Sequence, residues 1–504
     1  MYQLINNNWQ NAGFDSEILF LELIQNNSFL TPEKTLLAFL NDGVYWLDPV
    51  SANWQKLNST VGNIRALKVD EDSNLWVGIE EKGIAKYNYQ TNGWDVTEIN
   101  SPARNSFVGL ALDLKGRLWT ASISGGIQML DGDTWTNYST ANGLPSNDYR
   151  TILVDSQDRV WAGSWGGGLV VLEENQGEIA VTKFDTTNNI LAGYEAAHPG
   201  FVLVPAIALD KFDNLWIANR QAVNNRVLVT HTPNDQFVHF STTQGIISNI
   251  LFALMVDQFG RVWIGTDRGV NVMEYEEGFT NVDFSQGLNS SEGLFSNTIT
   301  ALAEDDDGTV WVGTDAGLNI WFDGIVDEEF DTPVNAIGID GINNKWIGTN
   351  NGITILKGHF DKVADFTPGN SQLVQGKITS FAFNFTTGEV WIGTDRGLSK
   401  ATTLFTAPKD DLSQLTGFPN PFIINGSDKI FTITNLANNT NVSIFTSTGK
   451  LVKSFKASQD ILGAQAFWNG TDEDGKLVAS GVYIYLAYTE DNVSATGKVA
   501  VVRR

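Results

Sequence analysis

Side chains able to carry acid–base, nucleophilic or metal chemistry are few and scattered in this chain. Its 504 residues include four histidines, His198, His231, His239 and His359, and no cysteine. No histidine stands at metal-ligand spacing from another, and His231 and His239 fall on the strands or loops of one repeat unit. Without thiols the chain can form no disulfide, thiolate metal site or cysteine nucleophile. It contains no Gly-x-Ser-x-Gly elbow, His-Glu-x-x-His pair or phosphate loop. The carboxylate runs Glu304-Asp305-Asp306-Asp307-Gly308 and Asp472-Glu473-Asp474-Gly475 offer hard oxygens that suit calcium. Each also sits where a hairpin turn needs Asp-Gly, and turn chemistry is the better reading. The expectation is a protein with no catalytic residue, no metal site and no cofactor.

Binding is the remaining chemistry. Trp165 stands in Gly163-Ser164-Trp165-Gly166-Gly167-Gly168, off the position that tryptophan otherwise repeats, which marks it as a candidate ligand-binding residue. Three copies of Gly-(Leu/Ile)-x-Ser-Asn, at Gly143 to Asn147, Gly245 to Asn249 and Gly293 to Asn297, recur at one place in the repeat. They read as turns into a strand, with a ligand-binding loop as the alternative.

The elements that must carry these residues follow from the repeat itself. Nine times the chain writes an apolar residue, Trp, an apolar residue, a small residue and a polar run ending in Gly, as in Val262-Trp263-Ile264-Gly265-Thr266-Asp267-Arg268-Gly269. The centres are Leu37 (a copy without Trp), Trp76, Trp119, Trp161, Trp216, Trp263, Trp311, Trp346 and Trp391. A period of roughly 40–45 residues is that of a four-stranded propeller blade. In one unit, 250–256 reads as a strand, Asp257-Gln258-Phe259-Gly260 as a turn, 261–265 as a buried strand and 270–275 as a third. The tryptophans read as wedges between blades; a stacking platform for carbohydrate is the alternative. In this unit the Gly after the Trp lets strands approach near the axis, and Gly269 supplies a positive φ. The Asp recurring ahead of the Trp strand (Asp113, Asp155, Asp257, Asp305) reads as a turn or backbone-capping residue.

Composition agrees with an all-β, well-packed chain: 42% hydrophobic, 18% charged. The net charge of −26 argues against nucleic acid, which demands clustered Lys and Arg. No apolar run is long enough for a membrane-spanning helix. The start, Met1 to Asn6, lacks the basic and apolar regions of a signal peptide. After Leu404 the Trp repeat stops, 406–416 reads as a linker, and 417–504 reads as a small Ig-like β-sandwich. Counting seven units back from Trp391 assigns 96–405 to a seven-bladed propeller. Residues 1–95 then form two blades, the remnant of a preceding ring or extra blades.

The tail resembles the C-terminal sorting domain of type IX secretion cargo in Bacteroidota. The residues that carry this are Pro419-Asn420-Pro421, Ser443-Ile444-Phe445, Gly449-Lys450-Leu451-Val452, Trp468-Asn469-Gly470-Thr471-Asp472, Ser480-Gly481-Val482-Tyr483 and Gly497 to Arg503, in that order. The propeller, through Val160 to Leu169, Asn214 to Asn219 and Asp340 to Thr349, is similar to the PorZ family, the propeller component of the type IX attachment complex. The resemblance implies an outer-membrane, cell-surface location, and hence a sequence that begins downstream of its true N-terminus. It implies sortase and outer-membrane partners, and a non-catalytic scaffold that presents anionic lipopolysaccharide to the cargo sortase through its terminal domain. An ordinary type IX cargo, an adhesin or glycan-binding propeller with a cleavable tail, is the alternative. Binding an anion here needs a local cationic patch. The tail supplies Lys450, Lys453, Lys476 and Lys498, with Lys429, Lys456, Arg503 and Arg504; solvated surface lysines are the bland reading.

Overall fold

The computed structural model describes residues 100–194, 196–322, 325–358, 361–403, 408–424, 430–457, 460–462, 464–489 and 493–503, and before residue 100 the strands named below with adjoining residues. His359, Lys429 and Arg504 lie outside the described residues. The chain divides into two compact units, Met1–Ala103 and Arg104–Arg504.

The first unit holds the hairpin Tyr2–Ile5/Asn8–Asn11 and two four-stranded antiparallel meanders. One runs Ile18–Gln25, Lys34–Leu40, Gly43–Leu47 and Trp54–Lys56; the other runs Ile64–Val69, Leu75–Ile79, Gly83–Asn88 and Gly93–Thr97. Val44 and Leu57 of the first meander share one core with Ile64, Val77, Ala85 and Tyr87 of the second.

In the second unit seven sheets follow one another. Blade 1 is the meander Gly109–Leu112, Leu118–Ser122, Gly126–Asp131 and Thr134–Tyr138. Blades 2 to 6 open on innermost strands Tyr149–Val154, Ile207–Leu209, Leu251–Val256, Ile299–Glu304 and Val334–Ile339. Blade 7 has three strands among the described residues, Ile378–Asn384, Glu389–Thr394 and Leu398–Thr402. The second strand of each blade is a short, continuous apolar run because both of its faces are covered; Val310–Thr314 is buried at every position.

Each repeat tryptophan of these seven blades packs between its own blade and the next. Trp119 packs with Tyr149, Ile152 and Val160, and Trp216 with Leu251, Val262 and Ile264. Trp311 packs with Val334 and Ile347, and Trp346 with Ile378 and Ile392. The ring closes in the same way: Trp391 of blade 7 packs with Phe107, Leu110 and Leu118 of blade 1. Phe107 N–H donates to Thr394 O at 2.9 Å, and Thr379 Oγ1 donates to Phe107 O. The wedge reading of the tryptophans therefore holds. So does the reading of the small residue that follows: a Cβ on Gly313 would lie 2.8 Å from Val334 Cγ1 of the next blade. Gly269 has φ 108°, as its turn requires.

The aspartates ahead of these strands do more than cap a turn. Asp257 Oδ1 accepts from the N–H groups of Phe259 and Arg261, while Oδ2 accepts the indole Nε1–H of Trp263 at 2.9 Å. The same carboxylate-to-indole bond joins Asp113 to Trp119, Asp155 to Trp161, Asp210 to Trp216, Asp305 to Trp311 and Asp340 to Trp346. One carboxylate thus satisfies the only polar atom of a buried wedge and ties the wedge to its turn.

The tail is a two-layer sandwich. One sheet runs Thr416–Phe418, Phe431–Thr434, Gln465–Trp468, Ile461–Leu462; the other runs Phe422–Ile424, Ser494–Arg503, Gly481–Tyr488, Asn441–Thr446, Leu451–Phe455. Phe431, Ile433 and Trp468 from the first layer meet Val442, Ile444, Tyr485 and Val499 from the second in one core.

Candidate functional site

The repeat is broken at one place in the ring, and a cluster of arginine and aromatic side chains is built there. Trp161 and Trp216 lie 55 residues apart, the longest spacing in the chain, because residues 185–204 are inserted between blades 2 and 3. A second insertion follows Trp216, where 219–225 replaces a short turn. The two are knitted together: Asn219 Oδ1 accepts Ala192 N–H at 2.7 Å, its Nδ2 donates to Ala192 O, and Val223 N–H donates to Gly193 O. Within the first insertion Val202–Leu203 forms a short strand, which pairs with Trp165 and Gly166 on one side and bridges to Arg220 on the other. Leu203 therefore holds Trp165 and Arg220 side by side.

The glycines around Trp165 make room for this. A Cβ on Gly163 would lie 2.5 Å from Val204 O, and one on Gly166, at φ 113°, would lie 2.7 Å from the Phe201 ring. Only a backbone without side chains lets the insertion press onto the strand.

The half-buried indole of Trp165 carries two guanidinium groups. Arg150 Cζ lies 5.2 Å from its ring centroid and Arg220 Cζ lies 5.6 Å away. Arg220 also sits 4.3 Å over the ring of Phe252, the residue at the β-bulge of blade 4's innermost strand. Arg150 occupies the same bulge in blade 2, so both project where the innermost strands begin, at the mouth of the ring. Arg150 Nη2 donates to Asp148 Oδ2 at 3.0 Å. Arg220 donates through Nε to Gln221 Oε1 at 3.4 Å, and no carboxylate is among its hydrogen-bond partners in the described residues. Burial pushes the Arg220 guanidinium below its ordinary range, opposed by the field of Asp267, whose Oδ1 already accepts Ser248 Oγ–H. Sequence reasoning singled out Trp165 and missed Arg150, Arg220 and Phe252. The signal for Arg220 was its register: it stands four residues after Trp216, as Trp165 stands four after Trp161, where blades 4, 5 and 7 carry Asp267, Asp315 and Asp395.

The Gly-(Leu/Ile)-x-Ser-Asn loops are structural turns. Each follows a one-turn 3₁₀ helix, at Thr140–Asn142, Thr242–Gln244 and Ser290–Glu292. Asn147 Oδ1 accepts Thr140 N–H and Asn297 Oδ1 accepts Ser290 N–H, both at 2.7 Å. The described histidines are scattered: His231 Nε2 lies 2.9 Å from Asp235 Oδ1 with its ring stacked on Phe237, and His239 Nε2 lies 2.8 Å from Ile190 O. In the acidic turns the oxygens face their own backbone, Asp305 Oδ1 toward Asp307 and Thr309 N–H, Asp472 Oδ1 toward Asp474 and Lys476 N–H.

In the tail, Lys453 Nζ lies 3.3 Å from Glu473 and Lys476 Nζ 3.7 Å from Asp474, so two candidate lysines are paired with the acidic turn. Lys450 and Lys498 are exposed, on different strands or turns. The residues of the sorting-type signature hold the sandwich together. Asn420, between Pro419 and Pro421, donates to Lys498 O and accepts Ala500 N–H, both at 3.0 Å. Trp468 is buried and donates to Thr471 O; Tyr483 OH donates to Ala479 O at 2.9 Å. Gly481 starts the strand paired with the last one, opposite Val501.

A family model described as a two component regulator propeller matches residues 143–166 and 293–316, each span running from a Gly-Leu-x-Ser-Asn turn into a Trp strand. Among solved structures the chain is similar to PorZ, an essential bacterial surface component of the type IX secretion system of Porphyromonas gingivalis, at 22% identity. That match covers 93% of this chain and 74% of PorZ with a TM-score of 0.58. It is also similar to an extracellular domain described as part of a hybrid two-component system, BT3049 of B. thetaiotaomicron. Here identity is 16%, coverage 93% and 71%, and the TM-score 0.50. No curated protein matches the sequence. The chain thus shares the propeller fold of PorZ.

Proposed function

We propose that this chain is a non-catalytic, cell-surface binding component of a type IX secretion attachment complex, which presents anionic lipopolysaccharide to the sortase acting on cargo. The observation that carries the reading is the likeness in fold to PorZ over 93% of the chain. The ordered motifs of the tail support it, since type IX export is what such a tail serves. The scatter of the described histidines, with His231 and His239 each engaged in a structural contact, supports a role in binding over one in bond-making. At a charge of −26, anionic lipid requires a locally cationic surface, for which Lys450 and Lys498 are the exposed candidates in the tail.

The intact mass of the protein released from the cell surface tests this reading. A scaffold retains residues 417–504, and lipopolysaccharide micelles retain the full chain in a pull-down that weakens with salt. Loss of the tail from the surface form, with no micelle retention, would make it an ordinary secreted cargo.

A further inference from the structure

We propose that the mouth of the ring at Arg150, Trp165 and Arg220 is a binding subsite for one anionic group, a carboxylate or phosphate, carried by a soluble acidic ligand or by anionic lipopolysaccharide. Four observations converge on it. Arg220 has five donors and a single long hydrogen bond among the described residues, to its neighbour Gln221. Stacking on Trp165 and Phe252 fixes its plane but leaves those donors unsatisfied. Arg150, ion-paired with Asp148, is held within 6 Å of the same indole, so a second guanidinium stands beside Arg220 and can add a donor to an anion that Arg220 binds. The half-buried state of Arg220, which disfavours its charged form, is the environment in which an anion gains most from pairing.

The scaffold is specific to this spot. Two insertions, a strand shared by Trp165 and Arg220, and the bare backbone at Gly163 and Gly166 all serve to bring these side chains together, and among the described residues no other blade of the ring carries such an inserted strand. Trp165 acts as a positioning residue, holding both guanidinium groups. Arg220 supplies the bidentate donors that planar carboxylates and phosphates accept, and Arg150, whose Nε and Nη2 face Asp148, adds its remaining donors. Neighbouring carboxylates are already engaged, Asp148 by Arg150 and Asp267 by Ser248.

The subsite stands apart from the tail lysines, and one experiment separates the two. The full chain is titrated calorimetrically with inorganic phosphate, with glucuronate and with anionic lipopolysaccharide micelles, alongside Arg220→Gln, Arg150→Gln and Lys498→Gln. Thermal unfolding of each variant checks that the fold is intact. The expected result is binding of at least one probe that weakens about tenfold or more in Arg220→Gln and in Arg150→Gln, the loss of a charge-assisted contact. Lys498→Gln leaves the small anions unaffected. Trp165→Phe, which keeps both arginines, weakens binding less than either arginine variant. Micelle binding equal in Arg220→Gln and wild type, with no small anion bound, overturns the subsite and leaves the proposed function standing. Small anions lost with Arg220 and no micelle binding at all reverse that outcome. No binding of any probe by the wild type overturns the subsite.

Discussion

Lys345 Nζ lies 3.0 Å from Asp305 Oδ2, and both side chains are fully buried. The pair joins two blades, since Asp305 belongs to the turn of blade 5 and Lys345 opens the second strand of blade 6. In blades 1, 2 and 4 the aspartate finds its cation in its own turn, as Arg117, Arg159 and Arg261, four residues on. Blade 5 has Thr309 there, and the neighbouring blade supplies the charge instead. Lys345 Nζ also donates to Asn343 O at 2.9 Å and lies 5.3 Å from the ring centre of Trp311.

Replacing Lys345 by Met leaves the Asp305 carboxylate buried with its indole and backbone donors but no cation. The expected loss is about 3–5 kcal/mol in urea unfolding. Asp305→Asn in the same chain should recover only part of it, because the uncompensated charge is then gone but the amide cannot accept from both the backbone and the indole. A loss below about 1 kcal/mol in the single variant would mean that the pair contributes little to holding the two blades together.

The wedge tryptophans give a graded series. Trp311 is buried between blades 5 and 6 and bonded to Asp305, whereas Trp391 is half-buried and its turn carries Asn384 where the other blades have Asp. Trp311→Ala should cost about 3–5 kcal/mol through the cavity it leaves. Trp391→Ala should cost visibly less, on the order of 1–3 kcal/mol, since less area is lost from water exclusion. Equal losses would show that closure at blades 7 and 1 is as tight as an internal blade contact.

Much of this architecture was legible because the repeat is written in the residues that build it. Trp, the small residue after it and the Gly of the next turn occur at fixed offsets, and each has one job that no other residue type does as well. The Asp-to-Trp bond was only half legible. Asp recurs six residues before Trp, but a sequence does not show which oxygen faces the backbone and which faces the indole. The candidate site at Trp165 was harder still. Arg150, Arg220 and Phe252 come from three blades, and although each holds a repeat position, they meet only because two insertions fold over one another, a tertiary event that the repeat does not record. The pairing of two tail lysines was hidden for a related reason: in sequence Lys453 is far from Glu473 and Lys476 is indistinct from other lysines, yet the turn carrying Glu473 and Asp474 lies beside them.

Gly348 offers a test of how closely the blades approach the axis. A Cβ there would lie 2.6 Å from Ile378 Cγ2 of blade 7. The clash is with a packed, branched side chain, so Gly348→Ala should destabilise by about 1–3 kcal/mol, the usual cost of overpacking. Gly116→Ala, at an open turn where a Cβ meets nothing, is the matched control; its only burden is a φ of 81°. A neutral Gly348→Ala would show that Ile378 can move aside.

In the tail the exposed lysines can be separated from the paired ones. Lys450 and Lys498 carry their charge into solvent, while Lys453 and Lys476 face Glu473 and Asp474. If the tail contributes to lipopolysaccharide retention, removing a solvent-facing charge weakens it, whereas removing a paired one frees a carboxylate and repels the lipid. Both Lys450→Gln/Lys498→Gln and Lys453→Gln/Lys476→Gln should therefore lower micelle retention, and the second pair more, because each change also exposes a negative charge. None should alter thermal unfolding by more than about 1 kcal/mol, the ordinary range for surface ion pairs. Retention unchanged in both double variants would assign the lipid contact to the propeller alone.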